Sequence, residues 1–122
     1  MSIDWTKKIT PNDKLIAARI ARRNALKTER DQRTGEPISG VQVATLVDRE
    51  NVSGTIRNWE SLGNPAAIPW ILADNSVAPL SKDDLIAIEV AYAQRKAVIF
   101  QQYQALCVEL EASNDPATVV WP

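Results

Sequence analysis

The sequence predicts an α+β fold: an N-terminal helix, a small antiparallel β-hairpin accompanied by a short helix, and a long C-terminal helix. Three observations carry that expectation. Strong helix formers without Gly or Pro run from Asn12 to Arg33. Two short apolar runs, each containing a proline, flank Asp74-Asn75. Ser81-Lys82-Asp83-Asp84 then opens a stretch of about 30 residues with helical apolar spacing and no breaker.

The first helix is predicted from Thr10-Pro11-Asn12-Asp13. Thr10 can cap, Pro11 suits the first helical position because its missing N–H costs nothing there, and Asp13 complements the positive helix end. Leu15, Ala18, Arg19, Arg22, Leu26, Glu29 and Arg33 recur at steps of three or four, and Thr34-Gly35 supplies the stop. Leu15, Ile16, Ala18, Ile20, Ala25 and Leu26 give it a modest apolar stripe. Val41 to Val47 is β-branched with partial alternation and reads as a strand. Asp48 to Leu62 reads as a short helix with Val52, Ile56 and Trp59 on one face, capped by Asp48 or Asn51 and ended by Gly63-Asn64-Pro65.

Ile68 to Ala73 and Ser76 to Leu80 form the hairpin, with Pro69 and Pro79 confining its strands to edges or ends. Ser81 with Asp84 forms a capping box in which aspartate stands for the usual glutamate. The helix it starts runs to about Ala112, roughly 45 Å. Leu85, Ile88, Tyr92, Ile99, Tyr103, Leu106 and Leu110 form one apolar stripe. Ile86, Val90, Ala93, Ala97, Phe100 and Cys107 widen it beyond what water tolerates, so the sheet, the first helix or a partner must cover it. The expected organisation is an arm over residues 1–9, one domain over 10–113, and a short tail over 114–122.

Composition narrows the chemistry. The 122 residues contain no histidine and one cysteine, which excludes Ser-His and Cys-His nucleophile pairs, His-containing metal sites, thiolate cages and any intrachain disulfide. Four scattered glycines build no phosphate loop. No cofactor and no enzyme activity are expected, and no apolar run is long enough to span a membrane. A reducing compartment follows from the lone Cys107.

Charge is asymmetric beneath a net value of −1. Residues 1–33 carry nine Lys/Arg against four Asp/Glu, and the remainder carries five against eleven. Arg19, Arg22, Arg23, Lys27, Arg30 and Arg33 resemble a phosphate-binding stripe. The helix holding them has no aromatic residue to stack on bases, and the acidic remainder can satisfy that face, so nucleic acid is not the expected partner. Asp83-Asp84 reads as a dipole pair at a helix start rather than an acid/base pair. Trp59 and Trp70 fall inside elements and are expected in the core. Trp5 and Trp121 lie in terminal segments, where a tryptophan either anchors in a partner's pocket or folds back on its own subunit. The candidate partner-binding residues are Trp5, Tyr92, Ile99, Tyr103, Leu106 and Trp121, with Arg22 and Arg23 orienting the complex.

The same stretches carry a resemblance. Trp70-Ile71-Leu72-Ala73-Asp74-Asn75-Ser76-Val77, then Pro79-Leu80-Ser81-Lys82-Asp83-Asp84-Leu85, followed by Tyr92 and Arg95, resembles the C-terminal domain of bacteriophage tail-fibre assembly proteins. Leu26-Lys27-Thr28-Glu29-Arg30-Asp31 is similar to that family's upstream helix end, and Ile9-Thr10-Pro11 to the start of that helix. The likeness covers roughly residues 9 to 112, and the order and spacing of its short motifs carry it. The resemblance implies a phage tail protein: a chaperone that covers the apolar surface of a tail-fibre or tail subunit before it assembles. A permanent tail or baseplate component is the alternative, and a small inhibitor of a host protein a third reading. It implies no cofactor and no catalytic residue. The expected partners are a fibre or tail/baseplate protein, or a second copy in a homo-oligomer. The expected place is the host cytoplasm during assembly, or the virion tail.

Overall fold

The computed structural model describes residues 10–122; the arm over 1–9, and with it Trp5, lies outside the described residues. Helix α1 spans Pro11–Thr34, α2 Leu46–Arg57, strand β1 Ile68–Ile71, β2 Val77–Leu80 and helix α3 Lys82–Ala112, followed by one 3-10 turn at Pro116–Thr118. The fold is α+β with a long C-terminal helix. Backbone contacts group the chain into two compact units. One holds the described residues up to Glu29 together with Gln101–Pro122, and the other holds Arg30–Phe100.

Helix α1 starts where its local chemistry requires. Asp13 N–H donates to Thr10 Oγ1 and Thr10 N–H donates to Asp13 Oδ2, each at 3.1 Å, so two end donors are satisfied reciprocally. The backbone hydrogen bond from Thr10, helped by its hydroxyl, holds the Asp13 carboxyl below its ordinary range. At the other end Gly35 N–H returns to Asp31 O at 3.0 Å.

The strand expected over Val41 to Val47 does not form. An isolated antiparallel bridge joins Ile38 and Val41 across Ser39 and Gly40, both at positive φ. Val41 and Val43 point into the core without further pairing, and α2 begins at Leu46. Its cap is Thr45, rather than Asp48 or Asn51. Asp48 N–H donates to Thr45 Oγ1 and Thr45 N–H to Asp48 Oδ2, each at 3.1 Å. This Thr-x-x-Asp box satisfies donors that a strand through the same residues would leave to a partner that the fold does not supply. Helix α2 also ends sooner, at Arg57, and turns carry the chain to Gly63 and Asn64, both at positive φ.

The hairpin forms as predicted. Strands β1 and β2 pair antiparallel with Ile68 opposite Leu80, Pro69 opposite Pro79, Trp70 opposite Ala78 and Ile71 opposite Val77. Leu72 N–H donates to Ser76 O at 2.8 Å to close the loop, and Asn75 takes the positive φ of 66°. Asp74 Oδ1 accepts from the Ser76 hydroxyl and from Ser76 N–H, the latter at 2.9 Å. These two bonds, the hydroxyl's first, hold the Asp74 carboxyl below its usual range. Strand alternation gives the hairpin two faces: Ile68, Trp70 and Leu80 pack on the core, while Pro69, Ile71, Val77 and Pro79 face solvent.

Helix α3 opens with the Ser81–Asp84 box, Ser81 N–H donating to Asp84 Oδ2 at 2.9 Å and Asp84 N–H to Ser81 Oγ at 3.1 Å. The stripe of Leu85, Ile88, Tyr92, Ile99, Tyr103, Leu106 and Leu110 is buried or half-buried throughout, as its spacing predicts. In the Arg30–Phe100 unit, Leu85 and Ile88 join Ile38, Val41, Val43, Val52 and Trp59 in one core. Each such side chain contributes about 1.5–3 kcal/mol by leaving water. The other unit buries Leu26, Leu106, Leu110, Pro116, Val119 and Trp121. Residues 114–122, expected as a tail, therefore belong to that unit's core.

Candidate partner interface

Three arginines of α1 that belong to the first unit are engaged by the chain's own C-terminal segment. Arg19 Nε and Nη2 donate to Ser113 O at 3.2 and 2.8 Å, and Arg22 Nε donates to Val119 O at 2.7 Å. Arg23 pairs with the Glu111 carboxylate. Charge-assisted bonds of this kind to part-buried carbonyls contribute roughly 1.5–3 kcal/mol each. Arg22 and Arg23, expected to orient a partner, instead hold residues 111–119.

The apolar candidates divide by burial. Trp121 is only 7% exposed, and its indole Nε1 donates to Leu26 O at 3.3 Å. Of the two possibilities for a terminal tryptophan, it takes the fold back on its own subunit. Ile99 and Leu106 are also buried, and in this fold they present no surface to a partner. Leu106 and Trp121 are buried in the unit that holds the returning C-terminal segment, and Ile99 lies on the inward stripe of α3 in the Arg30–Phe100 unit. Tyr92 is half-buried against the Arg30–Phe100 core with Arg49 Cζ 5.0 Å from its ring centre. Tyr103 is half-buried and engaged.

What stays exposed is the opposite side of α3. Ile86, Val90, Ala93 and Ala97 follow at steps of four, three and four, all solvent-facing, with Val90 49% exposed. Ala87, Gln94 and Val98 flank the row, so no charged side chain interrupts this arc between Ile86 and Val98. A solvated helix face ordinarily carries charge. The sequence did signal these residues as the widening of the α3 stripe, but the more deeply apolar stripe drew the candidate list. The hairpin supplies a second exposed apolar face, with Ile71 and Val77 opposite one another at 69% and 62% exposure. That face was legible only once the strand register was known.

Among the described residues no group of three His, Cys, Asp or Glu side chains is placed to hold a metal ion. Among them, too, no helix is long and apolar enough to cross a membrane. Fold and surface define a small, mostly helical α+β protein with two exposed apolar faces. Residues 17–120 match the family described as "Domain of unknown function (DUF4376)", and the chain belongs to that family. No curated protein and no solved structure matches the chain.

Proposed function

We propose that the chain is a bacteriophage tail protein that binds a tail-fibre or tail subunit and covers its apolar surface during assembly. The observation that carries this reading is the uncharged outward row of α3, Ile86-Val90-Ala93-Ala97. A helix with apolar residues on both its inner and outer sides is suited to lie between its own core and a second apolar surface. Unassembled fibre subunits expose such surface and aggregate through it. The tail-fibre motifs around Trp70 and Ser81 point to the same partner class. The contact surface in this reading is the outer row of α3, with the hairpin pair Ile71–Val77 as a second contact, rather than Trp121, Ile99 or Leu106.

The test is a mass-spectrometric census of purified virions against infected-cell lysate, repeated with Val90→Asp. Recovery from lysate with an unassembled fibre, lost in the variant, supports the assembly factor. Fixed stoichiometry in virions makes the chain a permanent tail component instead. Recovery with neither fibre nor virion overturns both.

A further inference from the structure

Two adjoining hollows in the Arg30–Phe100 unit share Arg49 and Tyr92 as their common wall. The first is a slot of about 180 Å³ walled by Val43, Val52 and Ile88, with Ser53 and Glu89 at its rim. A dry cavity of about 150 Å³ holds a benzene ring, so the slot has room for one branched aliphatic or phenyl side chain. Ser53 Oγ donates to Glu89 Oε2 at 2.7 Å, which fixes the carboxylate beside the slot.

The second hollow, about 330 Å³, has Lys96 and Phe100 on the α3 side and Ala44 and Gly35 across from them. Its lining cations, Arg49 and Lys96, are positioned by backbone carbonyls and aromatic rings. Arg49 Nη1 donates to Val43 O at 2.9 Å and to Ala44 O at 3.2 Å, with its guanidinium over the Tyr92 ring. Lys96 Nζ lies 5.5 Å from the centre of the Phe100 ring, and Arg30 Cζ lies 4.7 Å from the same centre. Asp31, the one carboxylate lining this hollow, is paired with Arg30 at 2.9 Å. Among the described residues neither Arg49 nor Lys96 has a carboxylate within ion-pair distance.

We infer that slot and chamber form one binding site for a peptide segment in which an apolar side chain stands next to a carboxylate. The apolar group fills the slot between Val43, Val52 and Ile88. The carboxylate enters the chamber, where Lys96 and Arg49 supply the charge complement. Glu89 sets the polarity, since it repels an acid placed at the slot side while Lys96 attracts one placed in the chamber. The ligand class is thus an acidic peptide with a neighbouring aliphatic or aromatic residue. The site is chemically independent of the tail-assembly reading, because a short peptide tests it without any phage partner.

The test is an NMR titration of the full chain with the capped tetrapeptide acetyl-Gly-Leu-Glu-Gly-amide, alongside its Leu-Gln and Ala-Glu counterparts. Saturable shifts at Ala44, Val52, Ser53 and Lys96 are expected with the Leu-Glu peptide. Changing the peptide Glu to Gln, or Lys96→Gln in the protein, is expected to weaken binding about threefold to fivefold, the effect of one part-exposed ion pair. The Ala-Glu peptide is expected to bind more weakly still. Absence of saturable shifts at millimolar peptide, or equal binding of the Leu-Gln peptide, overturns the inference. The peptide variants need no mutant protein to fold.

Discussion

The indole Nε1 of Trp121 donates to the backbone carbonyl of Leu26, 3.3 Å away and 95 residues earlier in the chain. Beside it, Arg22 reaches Val119 O and Arg19 reaches Ser113 O. The last residues are thereby built into the same unit as the part of α1 up to Glu29, and the buried indole donor is satisfied.

Trp121→Ala is accordingly expected to cost about 3–5 kcal/mol, the range for deleting a buried aromatic side chain. Urea unfolding followed by circular dichroism measures it. An unchanged midpoint would show that Trp121 contributes nothing to folding. Removing residues 113–122 is expected to destabilise at least as much, because it also strips the acceptors from Arg19 and Arg22.

The two sides of α3 are expected to respond oppositely to mutation. Ile99→Ala, on the buried stripe, should cost about 2–5 kcal/mol. Val90→Gln, on the outward row, should stay within about 0.5 kcal/mol. Thermal melts of both variants check this, and a large loss for Val90→Gln would mean that the outward row is part of the chain's own core.

Each capping box is expected to act locally. Thr45→Ala and Ser81→Ala should each destabilise by about 1 kcal/mol, while Thr45→Asp should restore most of the loss at the start of α2. Hydrogen exchange at the amides of Asp48 and Asp84 reports the effect site by site, since these are the donors each cap engages.

Acid is expected to loosen the hairpin turn. The folded-state pKa of Asp74 is depressed by its bonds from Ser76, so its stabilising contribution is complete above the ordinary value of 3.8 and is lost as pH falls through the lower folded value. Asp13 follows the same sign at the start of α1. The stability difference between the natural chain and Asp74→Ala should therefore shrink as pH is lowered below 3.8, which unfolding curves at several pH values can establish. A difference that stays constant across that range would show that the charge on Asp74 plays no part.

Most of the fold was legible because its signals are local. The Ser81–Asp84 box, the periodic stripe from Leu85 to Leu110 and the Asp74-Asn75 turn each sit within a few residues of the structure they specify. Val41 to Val47 misled because β-branched residues suit an extended core segment as well as a strand, and the decisive Thr45–Asp48 box lies at the end of that run. The fate of Arg22, Arg23 and Trp121 was not legible in the same way. Their partners lie 88 to 97 residues away, and no local pattern specifies which carbonyl or carboxylate returns to them. The outward row of α3 was visible as periodicity, but deciding which of two apolar sides of α3 is the outer one required the packing.

Pro69 and Pro79 face one another across the hairpin in a pair that exchanges no ladder bonds, since Leu72 and Ser76 fix the alternation. The backbone groups of that pair point away from the ribbon, where an added third strand would look for N–H donors. Neither proline has one. Each outer margin of the hairpin therefore lacks a donor in mid-strand, which disfavours pairing with an added strand. The exposed Ile71–Val77 pair is thus better placed to be approached face-on by a packing partner than to recruit further strands edge by edge.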